Sequence, residues 1–143
     1  MQYLLPALSL LTWLMSLAQH VDGHGHAIPR PLEASRVISL VALETDSPRE
    51  YAAMLDVLAS HESGYHTGVT GDSGRSCGAY QTPCGRTPPD GLGQTRLAAR
   101  ILKQAGEACP NHPLWVYASG ACRSTAVALR YEAEVRRSLA VAE

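Results

Sequence analysis

The chain has 143 residues, which suits a single domain and is long enough to bury a hydrophobic core. Hydrophobic residues make up 45% and charged residues 17%, a composition typical of globular rather than disordered proteins. The net charge is −1 and no basic tract is present, so we expect no nucleic-acid partner.

The first predicted element is an apolar run from Leu4 to Leu17. This run is too short for a membrane span and has the length of a signal-peptide core. Small residues at Ser16 and Ala18 match the spacing that a signal peptidase recognises, so residues 1–18 are predicted to be a signal peptide cleaved after Ala18. The alternative is an uncleaved membrane anchor, because no basic residue precedes the run. The signal predicts export to the periplasm or to the outside of the cell.

Residues 19–31 are rich in glycine, proline and polar residues, which indicates a flexible leader ahead of a domain spanning residues 32–143. The leader carries His20, His24 and His26 within seven residues. Three imidazoles this close can bind a metal weakly, but a solvated tail is the favoured interpretation. No metal site and no cofactor are predicted.

Helical periodicity dominates the rest of the chain. Residues 32–44 carry apolar side chains at helical spacing. The segment from Ser47 to Glu50 has the pattern of a capping box with proline at the first helical position, which predicts a helix start. Gly64 is expected to end this helix. Residues 64–93 are rich in glycine, serine, threonine and proline, which predicts a long irregular loop region. Further helices are predicted at Gln94 to Ala105, Leu114 to Ala118 and Ser124 to Leu139.

Glu62 is the most informative residue, because it continues the apolar stripe of its helix seven residues beyond Leu55. Burial and the negative end of the helix dipole both disfavour the carboxylate, so the pKa of Glu62 is expected to be raised. A carboxyl group that keeps its proton near neutral pH is suited to general acid catalysis at a glycosidic oxygen. The alternative is a solvated carboxylate at a frayed helix end. The flanking His61 and His66 are predicted to be surface or loop residues.

Three short motifs follow one another in the chain: Glu62-Ser63-Gly64, Gly78-Ala79-Tyr80-Gln81 and Val116-Tyr117-Ala118-Ser119-Gly120. They resemble the Glu-Ser, Gly-Leu-Met-Gln and Ala-Tyr-Asn-Ala-Gly motifs of the soluble lytic transglycosylase and goose-type lysozyme superfamily. The resemblance covers about residues 55–120. It implies a mainly α, lysozyme-like α+β domain that cleaves the glycan strands of peptidoglycan. We expect this domain to be a monomer.

The resemblance also implies a role for each matching side chain. Glu62 corresponds to the catalytic acid and base. Gln81 corresponds to the glutamine that binds sugar or positions this glutamate, and Tyr80 replaces a methionine and is expected to stack on a sugar ring. The hydroxyl of Tyr117 is expected to hold the carboxyl group of Glu62.

Two positions depart from the family motifs. Ala118 stands where the family has asparagine, so that substrate contact is missing or is supplied by Ser119. Asp72 stands where the family often has serine, and it is either a turn residue or a second carboxylate. With Glu62 acting alone, the enzyme is predicted to be a lytic transglycosylase, whereas a carboxylate pair would make it a lysozyme-type hydrolase. A non-catalytic peptidoglycan-binding module and a disulfide-braced structural or inhibitor protein are the remaining alternatives.

Four cysteines in a small chain with a signal-like start indicate disulfide bonds and an oxidising compartment. Three pairings are possible. We favour Cys77–Cys84 and Cys109–Cys122, because each pair closes a short loop around one of the motifs above. The spacings are wider than those that zinc sites use, so a cysteine-bound zinc ion is disfavoured.

Overall fold

The computed structural model describes residues 4–142, so the first three residues of the predicted signal peptide and Glu143 lie outside the described residues. The described chain is mainly helical, as predicted, with a small antiparallel sheet of strand order β1-β2-β3. No helix among these residues combines the length and hydropathy that crossing a membrane requires. The helices are α1 (Leu4–Ser16), α2 (Leu32–Ala42), α3 (Pro48–Ser63), α4 (Gly91–Ala108), α5 (Pro113–Ser119) and α6 (Ala126–Leu139), and the strands are β1 (Thr70–Gly71), β2 (Ser76–Cys77) and β3 (Thr82–Pro83).

Helix α3 is the central element of the fold, since residues 52–60 are all buried and the helix packs against α1, α2, α4 and α6. It begins at Pro48, as predicted, and Gly64 ends it with a φ of 62°, a left-handed conformation that costs glycine little. The predicted capping box does not form, because the Ser47 side chain accepts no hydrogen bond from the described first turn. The fixed φ of Pro48 therefore defines the helix start, and Gly64 places Glu62 in the final turn.

The apolar run predicted as a signal peptide forms α1, and one face of this helix belongs to the core. Leu10, Trp13 and Leu14 of this face are buried, as is Leu17 just after the helix. The Trp13 indole donates a hydrogen bond to the backbone oxygen of Val141 at 2.9 Å, and the Arg49 guanidinium lies 4.6 Å from the indole centroid. Before any cleavage α1 thus contributes to the core, while cleavage after Ala18 stays a prediction.

Residues 19–31 follow a defined course along α3, although their composition indicated a flexible leader. His24 and His26 are exposed in a tight turn, as expected for solvated residues. The two ends of the segment are buried, with His20 7% and Arg30 8% exposed. Both buried side chains pair with carboxylates of the helices behind them, which holds the segment against the domain.

Both predicted disulfides are formed. Cys77–Cys84 closes a loop around β3, and Cys109–Cys122 joins the end of α4 to the segment after α5. The predicted irregular region contains the small sheet and single turns of 3-10 helix. Disulfides of this kind are typical of proteins that fold in an oxidising compartment.

Candidate active site

Glu62 lies half-buried in the last turn of α3, where its side chain meets α6. The hydroxyl of Tyr131 donates a hydrogen bond to Glu62 Oε1 at 3.2 Å. Burial raises the pKa of the Glu62 carboxyl, the Tyr131 hydrogen bond opposes this, and the negative charge of Asp72 raises it again. The net shift is upward, in the direction expected from the sequence.

Tyr131 is a site residue that the sequence motifs did not reveal. Tyr131 is only 4% exposed, and its ring stacks on the His61 imidazole, with the ring centroids 5.3 Å apart and the ring planes at 18°. Burial raises the pKa of the Tyr131 hydroxyl, and the charge of Glu62 raises it further, so the phenol remains a neutral donor. In the sequence, the spacing of Ala128, Tyr131 and Val135 indicates only an apolar face of α6 and gives no sign that Tyr131 contacts Glu62.

Tyr117 does not hold the Glu62 carboxyl, which corrects the expectation drawn from the family motif. Its hydroxyl donates instead to the backbone oxygen of Tyr80 at 2.8 Å, and a phenol has a single proton to donate. Burial, followed by the charge of Glu62, raises the pKa of Tyr117, so the ring lies close to the carboxyl. Tyr117 therefore braces the loop beside Glu62, and Tyr131 supplies the direct contact.

Tyr80 is a core residue, so its predicted role as a stacking platform for sugar does not match the structure. It is 2% exposed, and its hydroxyl shares a hydrogen bond with Thr95 Oγ1 at 3.0 Å. A ring this deeply buried has no face for a sugar. Its backbone oxygen is the part that reaches the site, as the acceptor for Tyr117.

The side-chain amide of Gln81 donates its hydrogen bonds within the loop and not to Glu62. Its Nε2 donates to the backbone oxygens of Val69 at 3.2 Å and Gly78 at 2.9 Å. These bonds fix the loop, and Gln81 also lines a cavity of about 380 Å³ together with Tyr117. The structure therefore brings the two motif residues to one cavity, although neither bonds to Glu62.

Asp72 and Ser119 make local contacts in the described chain. The Asp72 carboxylate is exposed and accepts a hydrogen bond from Ser76 Oγ at 2.7 Å, as a turn residue would. Its negative charge nevertheless raises the pKa of Glu62. The Ser119 hydroxyl contacts the Trp115 backbone oxygen at 2.7 Å at the end of α5, so its hydrogen-bonding capacity is used inside the protein.

A second carboxylate of α3, Asp56, is fully buried and ionised. It accepts two hydrogen bonds from Arg30 at 2.9 and 3.0 Å, one from Tyr65 at 2.7 Å and one from His20 at 2.9 Å. Burial alone would raise the pKa of Asp56, but the hydrogen bonds from His20 and Arg30 hold it below its usual range. The signal for this ion pair in the sequence is an aspartate among apolar residues of a helix, because a buried carboxylate is almost always paired with a cation.

The side chain of His61 points into the protein, which corrects its prediction as a surface residue. Its side chain is 8% exposed, and Nε2 lies 2.7 Å from Glu134 Oε2, while Glu134 Oε1 lies 3.5 Å from His20 Nδ1. Burial opposes ionisation of Glu134, but the two imidazoles lower its pKa to about 2. Burial likewise opposes the charging of His20, but Asp56 and Glu134 raise its pKa to about 9. Charged and ionisable groups thus extend from Arg30 to the residue before Glu62.

These contacts define a site with one carboxyl group whose pKa is raised, a neutral hydroxyl that orients it, and a second carboxylate whose charge acts on it. Such a set can donate a proton to a substrate oxygen and accept one later. No protein-family model, curated protein or solved structure matches this chain.

Proposed function

We propose that this protein cleaves the glycan strands of peptidoglycan as a lytic transglycosylase, with Glu62 as the general acid and base. The observation that carries the proposal is the setting of Glu62, a half-buried carboxyl oriented by the Tyr131 hydroxyl and with a raised pKa. A carboxyl group of this kind is the proton donor that a glycosidic oxygen requires. The mainly helical fold and the three ordered motifs support the same proposal.

The proposed reaction acts on the β-1,4 bond between N-acetylmuramic acid and N-acetylglucosamine. Glu62 gives its proton to the glycosidic oxygen as the bond from that oxygen to the muramoyl C1 breaks. The Tyr131 hydrogen bond stabilises the carboxylate that this transfer leaves, because a hydrogen bond to the charged form favours it. The carboxylate then takes the proton of the muramoyl 6-hydroxyl, whose oxygen bonds to C1 and closes an anhydro ring.

A lysozyme-type hydrolase is the second candidate, and the charge of Asp72 on Glu62 is the observation that favours it. In this mechanism Asp72 serves as nucleophile or as the base for water. Retaining glycosidases place their carboxyl groups roughly 5–5.5 Å apart and inverting ones roughly 6.5–9.5 Å apart. The Ser76 hydrogen bond would orient the Asp72 carboxylate in either case.

The test compares the wild type with Glu62→Gln on purified peptidoglycan, with the released fragments identified by mass spectrometry. Glutamine keeps the size of the side chain but has no proton to give, so we expect cleavage to fall by about 10²–10⁴-fold with the fold intact. Glu44→Gln is the matched control, because Glu44 is an exposed glutamate paired with Arg96, and we expect it to leave cleavage unchanged.

The products separate the candidates. Anhydro-muramoyl ends identify a transglycosylase, whereas reducing ends identify a hydrolase, for which Asp72→Asn should also abolish cleavage. Full activity in the Glu62→Gln protein, or binding of peptidoglycan by the folded wild type without any product, would overturn the proposal. The latter outcome identifies a binding module.

A further inference from the structure

We propose that His20, His61 and Glu134 form a binding site for a divalent transition-metal ion, for which Zn²⁺ is the best match. Each residue offers one ligand atom, and these atoms all lie within 4.8 Å of one another. Two imidazole nitrogens and one carboxylate oxygen form a ligand set that zinc commonly uses, with a fourth position left for water. The inference does not depend on the glycan-cleaving function proposed above.

The three ligands come from separate parts of the fold, which hold them in place. His20 follows α1, His61 belongs to the last turn of α3, and Glu134 lies on α6. The side chains are 6%, 8% and 9% exposed, respectively. Ligands on packed helices keep their geometry better than ligands on loops, so most of the site is preorganised.

His61 Nε2 and Glu134 Oε2 are buried and lie in contact, 2.7 Å apart, but the contact does not have the geometry of a hydrogen bond, and neither atom has another hydrogen-bond partner among the described residues. Buried polar atoms are nearly always satisfied, so each such atom calls for an explanation. An ion bound by both atoms would satisfy both.

The distances from the two carboxylate oxygens of Glu134 to the histidine nitrogens can be compared with those of a zinc site, and all three ligand atoms lie within 4.8 Å of one another. Zinc bonds of roughly 2.0–2.2 Å at tetrahedral angles separate two ligand atoms by about 3.3 Å. The distance of 3.5 Å between His20 Nδ1 and Glu134 Oε1 is already near this value. The 2.7 Å distance between His61 and Glu134 would have to lengthen by about 0.6 Å, which a side-chain rotation can provide.

The contacts of His20 resemble those of metal-binding histidines. Its Nε2 lies 2.9 Å from Asp56 Oδ2, and Arg30 fixes that carboxylate from the other side. Metal-binding histidines generally donate their second ring N–H to a carboxylate or carbonyl, which fixes the tautomer and the ring orientation. A bound ion would take the place of the proton on Nδ1, and the remaining proton on Nε2 would keep the contact with Asp56.

An ion can reach the site from solvent. His20 and Glu134 border a cavity of about 220 Å³ between α6 and the segment after α1. The Arg137 guanidinium lies 3.9 Å from Glu134, and its side chain is 73% exposed, so it can turn into solvent when an ion binds. The cavity also leaves room for the water that completes the coordination.

The test titrates the chelator-treated full-length chain with ZnCl₂ by calorimetry. We expect one ion per chain, and we expect Glu134→Gln to weaken binding by about tenfold or more. The double variant His24→Ala/His26→Ala is the control, because both histidines are exposed on the neighbouring turn, and it should bind as the wild type does. Absence of binding by the wild type, or loss only in the control, would overturn the proposal.

A second measurement uses no substitution and therefore leaves the buried network intact. Long-range ¹H–¹⁵N NMR of the wild type follows the ring nitrogens of all histidines as ZnCl₂ is added. We expect the resonances of His20 and His61 to shift until one equivalent is bound, while those of His66 and His112 stay in place. Shifts confined to the exposed histidines would refute the proposed site.

Discussion

The buried ion pair between Asp56 and Arg30 leads to the prediction with the largest expected effect on stability. Asp56→Asn removes the charge and leaves one acceptor oxygen where the carboxylate accepts four hydrogen bonds. The amide NH₂ then faces donors, and the Arg30 guanidinium stays buried without a counter-charge. Breaking a buried pair on one side typically costs about 3–5 kcal/mol, a large part of the roughly 5–15 kcal/mol that stabilises a domain.

Urea unfolding and thermal unfolding at pH 7 with the disulfides intact, both followed by circular dichroism, measure this loss. At this chain length each kcal/mol corresponds to about 2–4 °C in Tm, so we expect Tm to fall by about 6–20 °C. A variant as stable as the wild type would show that Arg30 and Asp56 do not form the buried pair described above.

The control for burial is the exposed ion pair of Glu44 and Arg96. Its forked geometry is similar, with nitrogen–oxygen distances of 2.8 and 3.3 Å, but the Arg96 and Glu44 side chains are 46% and 51% exposed. Water and salt screen such a pair, and many contribute nothing measurable, so we expect Glu44→Gln to unfold at the wild-type midpoint. Equal losses in Glu44→Gln and Asp56→Asn would refute the reasoning from burial.

Two further predictions concern Glu62 and α1. Tyr131→Phe removes a hydrogen bond that lowers the pKa of Glu62, so the alkaline limb of the kcat/KM profile should move to higher pH. Asp72→Asn removes a charge that raises this pKa, so the same limb should move to lower pH. Both profiles are measured with chelator present, and shifts of the same sign would contradict the assignment. Deleting residues 1–18 should lower the free energy of unfolding by several kcal/mol, because each large apolar side chain of α1, such as Trp13, contributes roughly 1.5–3 kcal/mol as an upper bound. Equal urea midpoints for the full and shortened chains would mean that α1 adds nothing to the core.

Features that depend on local chemistry could be predicted from the sequence. The helices follow from apolar periodicity, and Pro48 and Gly64 mark the ends of α3 through their own backbone preferences. The disulfides join cysteines only 7 and 13 residues apart, so short loops limit the choice of partner. The upward pKa shift of Glu62 follows from its place at the end of an apolar helix face.

Long-range packing decided the partners that the sequence could not reveal. The motif singled out Tyr117 for the Glu62 contact, but Tyr131 makes it across 69 residues of chain. Both tyrosines have the same donor, so only the packing of α6 on α3 selects between them. The prediction that His20 lies in a solvated tail is wrong for a related reason. Its glycine-rich neighbours indicate an exposed segment, but Asp56 and Glu134 hold the side chain in the interior.

Two of the carboxyl groups of α3, those of Asp56 and Glu62, lie six residues apart, and the number of donors around each determines its charge. Burial pushes the pKa of both Asp56 and Glu62 upward. Around Asp56, Arg30 and His20 outweigh burial, so the carboxylate is a fixed structural charge. Around Glu62, the single hydrogen bond from Tyr131 does not, so the proton is retained more easily. The acid chemistry proposed for Glu62 therefore depends on the scarcity of donors at the end of α3 as much as on the glutamate itself.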